Sequence, residues 1–255
     1  MKTAQHRATP VQLRLGVQEG SGETQQELTI PTCRGYAHLV AMVADAENHV
    51  TCDLQSGMAF GWVTEAAAAQ RGHLRYHFLE AAALILLVAK YLTPIHAACV
   101  SLGDSGVLLC GDSGAGKSSL SFACAQRGWT YVTDDGSYLV RDSHDRTVVA
   151  NPNLIRFRSS AKSLFPELGD QDITRRLNGE FGIELRTQEI PGLRISSQPR
   201  IDHVVMLRRR SGAAPSITKM DPAELRAWLE QVVCYGDEQV CAEQRDSFER
   251  LLTAN

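Results

Sequence analysis

Residues 106–118 read GVLLCGDSGAGKS, and residues 119–127 continue as SLSFACAQR. An apolar run of strand length, GVLLC, meets a glycine-rich loop, and a helix-competent run follows from Lys117 to Gln126. Gly111, Gly114 and Gly116 let the backbone curl until successive N–H groups converge on one anion. The helix that follows turns its positive end and free N–H groups toward the same point. The loop fits G-x-x-x-x-G-K-[ST], in which Lys117 supplies a point charge to the β- and γ-phosphates and Ser118 a hydroxyl to Mg²⁺. Strand, loop and helix stand in the order that such a phosphate loop requires. The residues expected to hold a nucleotide are Gly111, Asp112, Ser113, Gly114, Ala115, Gly116, Lys117, Ser118 and Ser119, and the expected ligands are ATP and Mg²⁺.

Working downstream, WTYVT (129–133) reads as a strand ending at Asp134 and Asp135, only 17 and 18 residues after Lys117. In open α/β sheets ligands collect outside the carboxyl ends of strands. Two acids there can divide labour, one holding Mg²⁺ and the other taking a proton from an attacking hydroxyl. Asp-Asp-Gly is also good turn chemistry, so the weight of this reading comes from the loop beside it. Upstream, HAACVSL (96–102) and GVLLCG (106–111) flank Gly103-Asp104-Ser105-Gly106, a hairpin turn signal. His96 opens the first strand of this pair. The plain alternative there is a strand-end histidine satisfied by backbone groups.

The stretch IHAACVSLGDSGVLLCGDSGAGKSSLSFACAQRGWTYVTDD (95–135) resembles the HPr kinase/phosphorylase family. The close spacing of loop and Asp-Asp is similar to that of the ATP-dependent phosphoenolpyruvate carboxykinases. The resemblance implies a mixed β-sheet P-loop kinase core. It implies that Lys117 and Ser118 meet the triphosphate and metal, and that Asp134 is the catalytic base. Asp135 would support the metal and the geometry, so that Ser118, Asp134 and Asp135 form the metal set. His96 would lie near the transferred phosphate, and the chain would assemble as a homo-oligomer, a hexamer. The family's Glu-[Ile/Leu]-Arg-Gly-x-Gly segment is not found at its usual distance. GIELRTQEIPGL (182–193) echoes it further downstream without the glycine after arginine, which makes Glu184 a candidate. The first 70 residues do not look like the family's N-terminal domain.

The remainder fits an α/β chain of mixed α+β type. VQLRL (11–15), QELTI (26–30), HLVAMVA (38–44) and HVTCDL (49–54) are short runs with partial alternation, giving a β-rich region over 1–75 and a nucleotide-binding domain over 76–255. Glu65 to Gln70 begins a helix that Arg71-Gly72 breaks. FLEAAALILLVAKYL (78–92) is a buried helix, stopped by Thr93-Pro94. It is short of the roughly 20 apolar residues that span a bilayer, so no membrane partner is expected. GSYLVRD, RTVVAN, FGIELRT, GLRI and IDHVVMLRRR read as strands. Asp221-Pro222 starts a helix as N-cap and first-turn proline, and 238–253 is helical. Arg156 and Arg158 in NLIRFRSS (153–160) alternate and share one strand face, turned to an anion or to solvent. Arg208-Arg209-Arg210 reads as surface charge.

The 255 residues carry a net charge of −3, which argues against a nucleic-acid partner. Seven cysteines, an odd number with no C-x₂-C pair, point to a reducing compartment. MKTAQHRATPVQLRLG lacks the apolar core of a secretory signal, so a cytoplasmic location is expected. The leading expectation is an ATP-dependent kinase that transfers the γ-phosphate to a hydroxyl on a small molecule, peptide or protein, with reverse phosphorolysis open to the same base. The alternative is a nucleotide-sensing module without turnover. A third is a phosphoryl enzyme of the carboxykinase kind, which would need a Lys/His/Asp metal constellation that the sequence does not place.

Overall fold

The computed structural model describes residues 9–20, 29–141, 145–209, 212, 214–231 and 237–253. The chain is of mixed α and β structure and divides into two compact units. Described residues through Tyr91, with a short segment ending at Cys241, form the first; those from Leu92 onward, that segment apart, form the second. The division falls after the apolar helix, where 70–76 was expected, because that helix packs on the N-terminal sheet.

In the first unit β1 (Gln12–Gln18), β2 (Thr32–Tyr36), β3 (Leu39–Val43), β4 (His49–Asp53) and β5 (Met58–Thr64) form one sheet in the order β1-β5-β4-β3-β2. β1 and β5 are parallel and the other pairs antiparallel. The chain then forms α1 (Glu65–Ala69), α2 (Arg71–Leu74), a π-helical stretch (Arg75–Glu80) and α3 (Ala81–Lys90). Thr64 caps α1 by accepting from the Ala67 N–H. Phe78, Ala82 and Leu86 recur every fourth residue, so they share one helix face. That face buries against Met42, Val50, Cys52 and Ala59, the inward residues of β3, β4 and β5. Among the described residues Arg71–Lys90 is the one helix that is long and apolar enough to cross a membrane by length and composition alone.

Two strands here went unread in the sequence. β2 is exposed throughout, so it carries no alternation. β5, MAFGWVT, is interrupted by Gly61, whose missing Cβ admits the neighbouring strand: a methyl there would meet the His49 carbonyl oxygen at 2.2 Å. Of QELTI, residues 26–28 lie outside the described residues, and Thr29-Ile30 is not in a strand.

The second unit centres on a sheet ordered β15-β9-β7-β8-β16. Its strands are β7 (Ala98–Leu102), β8 (Ser105–Cys110), β9 (Thr130–Thr133), β15 (Arg194–Ile195) and β16 (Ile201–Met206). β7 is antiparallel to β8 and β9, while β15 follows β9 and β16 follows β8 in parallel. Four strands therefore run one way around a reversed β7. A second sheet joins β6 (Leu92–His96), β10 (Gly136–Val140) and β11 (Val148–Val149); a third joins β12 (Leu154–Phe157), β13 (Thr174–Arg175) and β14 (Phe181–Arg186). The helices are α4 (Lys117–Gln126), α5 (Pro222–Leu229) and, from Ala242 onward, α6 (Glu238–Thr253).

Both faces of the central sheet are covered, which is why GVLLC reads as a continuous apolar run. Leu108 and Cys110 face Leu225 and Leu229 of α5 and Phe248 and Leu251 of α6. Tyr131, on the opposite face of the sheet, packs with Phe122 of α4 and Phe157 of β12. Asp221 caps α5 by accepting from the Ala223 N–H, and Pro222 occupies the first turn, as its sequence required. His96 corrects an expectation: it ends β6 in a different sheet rather than opening the hairpin strand, because Thr93-Pro94 lies within β6 and the chain turns at Ala97 before β7.

Candidate functional site

Because β8 and β9 run parallel on either side of β7, their carboxyl ends leave at one sheet edge. The glycine-rich loop begins where β8 ends, and Asp134-Asp135 where β9 ends. β7 starts at that edge, with Ala98 opposite Leu109 and Cys99 opposite Thr133, so His96 lies there too. Pairing of β6 with β10 sets His96 across from Gly136, next to Asp135. The topology thus gathers loop, acids and histidine from three separate stretches of sequence.

The loop has the curled backbone its glycines permit. Gly111, Gly114 and Gly116 take φ of 144°, 84° and 109°, a region that side chains rarely enter. At Gly111 a methyl would also sit 2.8 Å from the Leu207 carbonyl oxygen. Gly116 precedes α4 directly, so the free N–H groups of its first turn point back at the loop. Lys117 is 7% exposed, and its ammonium donates to Gly111 O at 2.8 Å and Asp112 O at 3.3 Å. Burial lowers its proton affinity, opposed by the charge of Asp135. Ser118 and Ser119 lie half-buried in the first turn of α4. Asp112 and Ser113 are exposed on the loop, and Ala115 is half-buried, its N–H donating to Asp112 O.

The two aspartates have opposite surroundings. Asp134 is 3% exposed. Its Oδ2 accepts from the Arg156 N–H at 2.9 Å, and its Oδ1 is 3.2 Å from the Tyr131 hydroxyl, which also reaches Leu154 O at 2.9 Å. Burial raises its pKa above the ordinary carboxylate range. Asp135 has 57% of its side chain exposed, and its Oδ1 is 3.1 Å from His96 Nδ1. The hydrogen bond from His96, and then the charges of His96, Lys117 and Arg156, hold its pKa low. Tyr131, whose phenol pKa burial raises, stands behind the candidate site on Asp134, a contact that sequence reading missed. A strand tyrosine three residues before the acid carries no signal of its own.

The arginine alternation resolves into two contacts. Arg156 donates from Nε to Glu184 Oε1 at 2.8 Å, its partner across the β12–β14 ladder. Glu184 is thereby tied to Asp134 through Arg156, although 50 residues separate the acids in sequence. Arg158, just past β12, donates from Nη2 to Ser113 Oγ at 2.8 Å on the loop itself. Arg208 pairs instead with Glu224, while Arg210 lies outside the described residues.

Among the described residues no group of three or more His, Cys, Asp or Glu converges as a metal site. Magnesium in nucleotide sites uses one or two protein oxygens plus phosphates and water. A first-turn hydroxyl, Ser118, and an exposed carboxylate near Lys117, Asp135, fit that donor set; Asp134, with both oxygens engaged inside the fold, does not.

No family model matches the chain, and no curated protein matches it. Among solved structures it is similar to the Hpr(Ser) kinase/phosphatase from Coxiella burnetii, at 19% identity over 48% of this chain and 69% of that one, with a TM-score of 0.31.

Proposed function

We propose that this chain is an ATP- and Mg²⁺-dependent phosphotransferase that moves the γ-phosphate to a hydroxyl on a small molecule, peptide or protein. One observation carries the reading: a lysine-bearing loop with three left-handed glycines shares a sheet edge with an Asp–His pair. Lys117 and the amides of the loop and first turn of α4 would hold the phosphates. Ser118 and Asp135 would hold Mg²⁺, which supplies charge neutralisation at the phosphate oxygens when bound.

Of the two acids, Asp135 faces solvent with His96 on one oxygen, and in this reading the imidazole of that pair, oriented by the carboxylate, receives the proton of the acceptor hydroxyl. Asp134 takes the supporting part. It ties β9 to β12 through the Arg156 N–H and so fixes the ground on which Asp135 stands. This reverses the roles that the family resemblance implies for the two acids. The free thiols Cys33, Cys52, Cys99, Cys110, Cys124 and Cys241 suit a reducing, cytoplasmic setting.

The test is transfer of label from γ-labelled ATP to a library of hydroxyl metabolites and peptides, comparing Asp135→Asn with Asp134→Asn. Loss in Asp135→Asn with activity retained in Asp134→Asn supports the assignment. The opposite pattern returns the base role to Asp134. Nucleotide binding with no product from any acceptor favours a sensing module.

A further inference from the structure

Arg158 follows the last residue of β12, and its guanidinium reaches back over the phosphate loop. Nη2 lies 2.8 Å from Ser113 Oγ, and a Cβ added at Gly114 would meet Nη1 at 3.5 Å, so the guanidinium also covers the bare side of that glycine. Its strand is held in place two residues earlier, where the Arg156 N–H donates to buried Asp134. Arg156 itself is engaged by Glu184. Arg158 instead rests on a neutral hydroxyl.

Lys117 marks which end of the loop this is. Its ammonium sits on the carbonyls of Gly111 and Asp112, the two residues before Ser113. In loops of this pattern the lysine serves the β- and γ-phosphates, so the N-terminal half of the loop is the end facing the terminal phosphate. Two cations from different elements flank it, one buried and one exposed.

We infer that Arg158 is a clamp for the terminal phosphate, distinguishing nucleoside triphosphate from diphosphate. This rests on the loop being a nucleotide site. The γ-phosphate oxygens replace the Ser113 hydroxyl as partners of the guanidinium, whose planar fork matches them two at a time. The same fixed charge then opposes the negative charge spread over the phosphoryl oxygens during transfer, the part an arginine supplied in cis plays in phosphate-loop enzymes.

The experiment is calorimetric titration of Mg²⁺ with ADP, and of Mg²⁺ with a non-hydrolysable ATP analogue, into wild type, Arg158→Gln, Arg158→Lys and Lys117→Ala. Wild type binds the analogue more tightly than ADP. Arg158→Gln loses about tenfold or more on the analogue and less than about twofold on ADP. Arg158→Lys falls between, since an ammonium keeps the charge without the fork. Unchanged analogue affinity in Arg158→Gln, or equal losses for both nucleotides, overturns the clamp and leaves the nucleotide site standing. A wild type that binds neither nucleotide, or a Lys117→Ala that binds like wild type, overturns the nucleotide reading and the clamp with it. Arg158 is exposed, so its variants keep the wild-type unfolding midpoint; a marked fall assigns Arg158 a structural part and also overturns the clamp.

Discussion

His96 Nδ1 lies 3.1 Å from Asp135 Oδ1, and the contact is a product of strand register. β6 and β10 pair with His96 across from Gly136, so the histidine meets the acid one residue before it. Asp135→Asn should slow phosphoryl transfer by about 10²- to 10⁴-fold, the range for loss of a positioned base. Single-turnover measurements with saturating ATP check this. The folded-state pKa of Asp135 is depressed, so its stabilising effect is present above the ordinary carboxylate range and is lost as pH falls through the depressed value. Unfolding midpoints of wild type and Asp135→Asn should converge on acidification. The gap near neutral pH should be small, because the pair is exposed.

Asp134 titrates in the other sense. Burial raises its folded-state pKa, so the folded chain binds more protons than the unfolded one above the ordinary carboxylate range, and stability falls as pH rises through that window. Asp134→Asn removes this decline, since its carbonyl oxygen still accepts from Arg156 and its amide can donate to the Tyr131 hydroxyl. Asp134→Ala leaves the Arg156 N–H without its acceptor and should cost about 1–3 kcal/mol. Chemical denaturation of both variants across the range above the ordinary carboxylate pKa separates the two effects.

Gly111→Ala joins a φ of 144° to a Cβ placed 2.8 Å from the Leu207 carbonyl oxygen. The strain is of the order of 1–3 kcal/mol, and relief can come only by reshaping the loop. The variant should therefore lose stability and nucleotide affinity together. A titration showing wild-type affinity in Gly111→Ala would mean that the loop's curl is not what holds the phosphates.

In the N-terminal sheet Gly61→Ala is the matching test of the fold. Its Cβ would approach the His49 carbonyl oxygen to 2.2 Å and the Val50 Cα to 2.7 Å. β4 must move away from β5, so denaturation of the full chain should show a loss of about 2 kcal/mol or more, within the range for severe overpacking.

The site was legible where chemistry is local in sequence. The loop, its helix from Lys117 to Gln126 and the strand ending just before Asp134 are each announced by residue type and sit where expected. The N-cap at Asp221 and the C-terminal helix were equally plain. What the sequence hid depends on register between distant segments. Nothing local says that His96 faces Asp135 rather than Asp134, that Asp134 turns inward to Tyr131, or that Glu184 meets Arg156 across a ladder. β2 and β5 were hidden for a different reason. One strand is exposed on every residue, and the other is broken by a glycine whose purpose is visible only from the adjacent strand.

The most direct measurement is equilibrium binding of Mg²⁺·ATP to wild type and to Lys117→Ala, followed by calorimetry at fixed salt. The account predicts one nucleotide per chain for wild type and an affinity weakened by about tenfold or more when the ammonium is removed, as for loss of a charge-assisted contact. Equal affinities in the two proteins, or no binding to wild type, would contradict it.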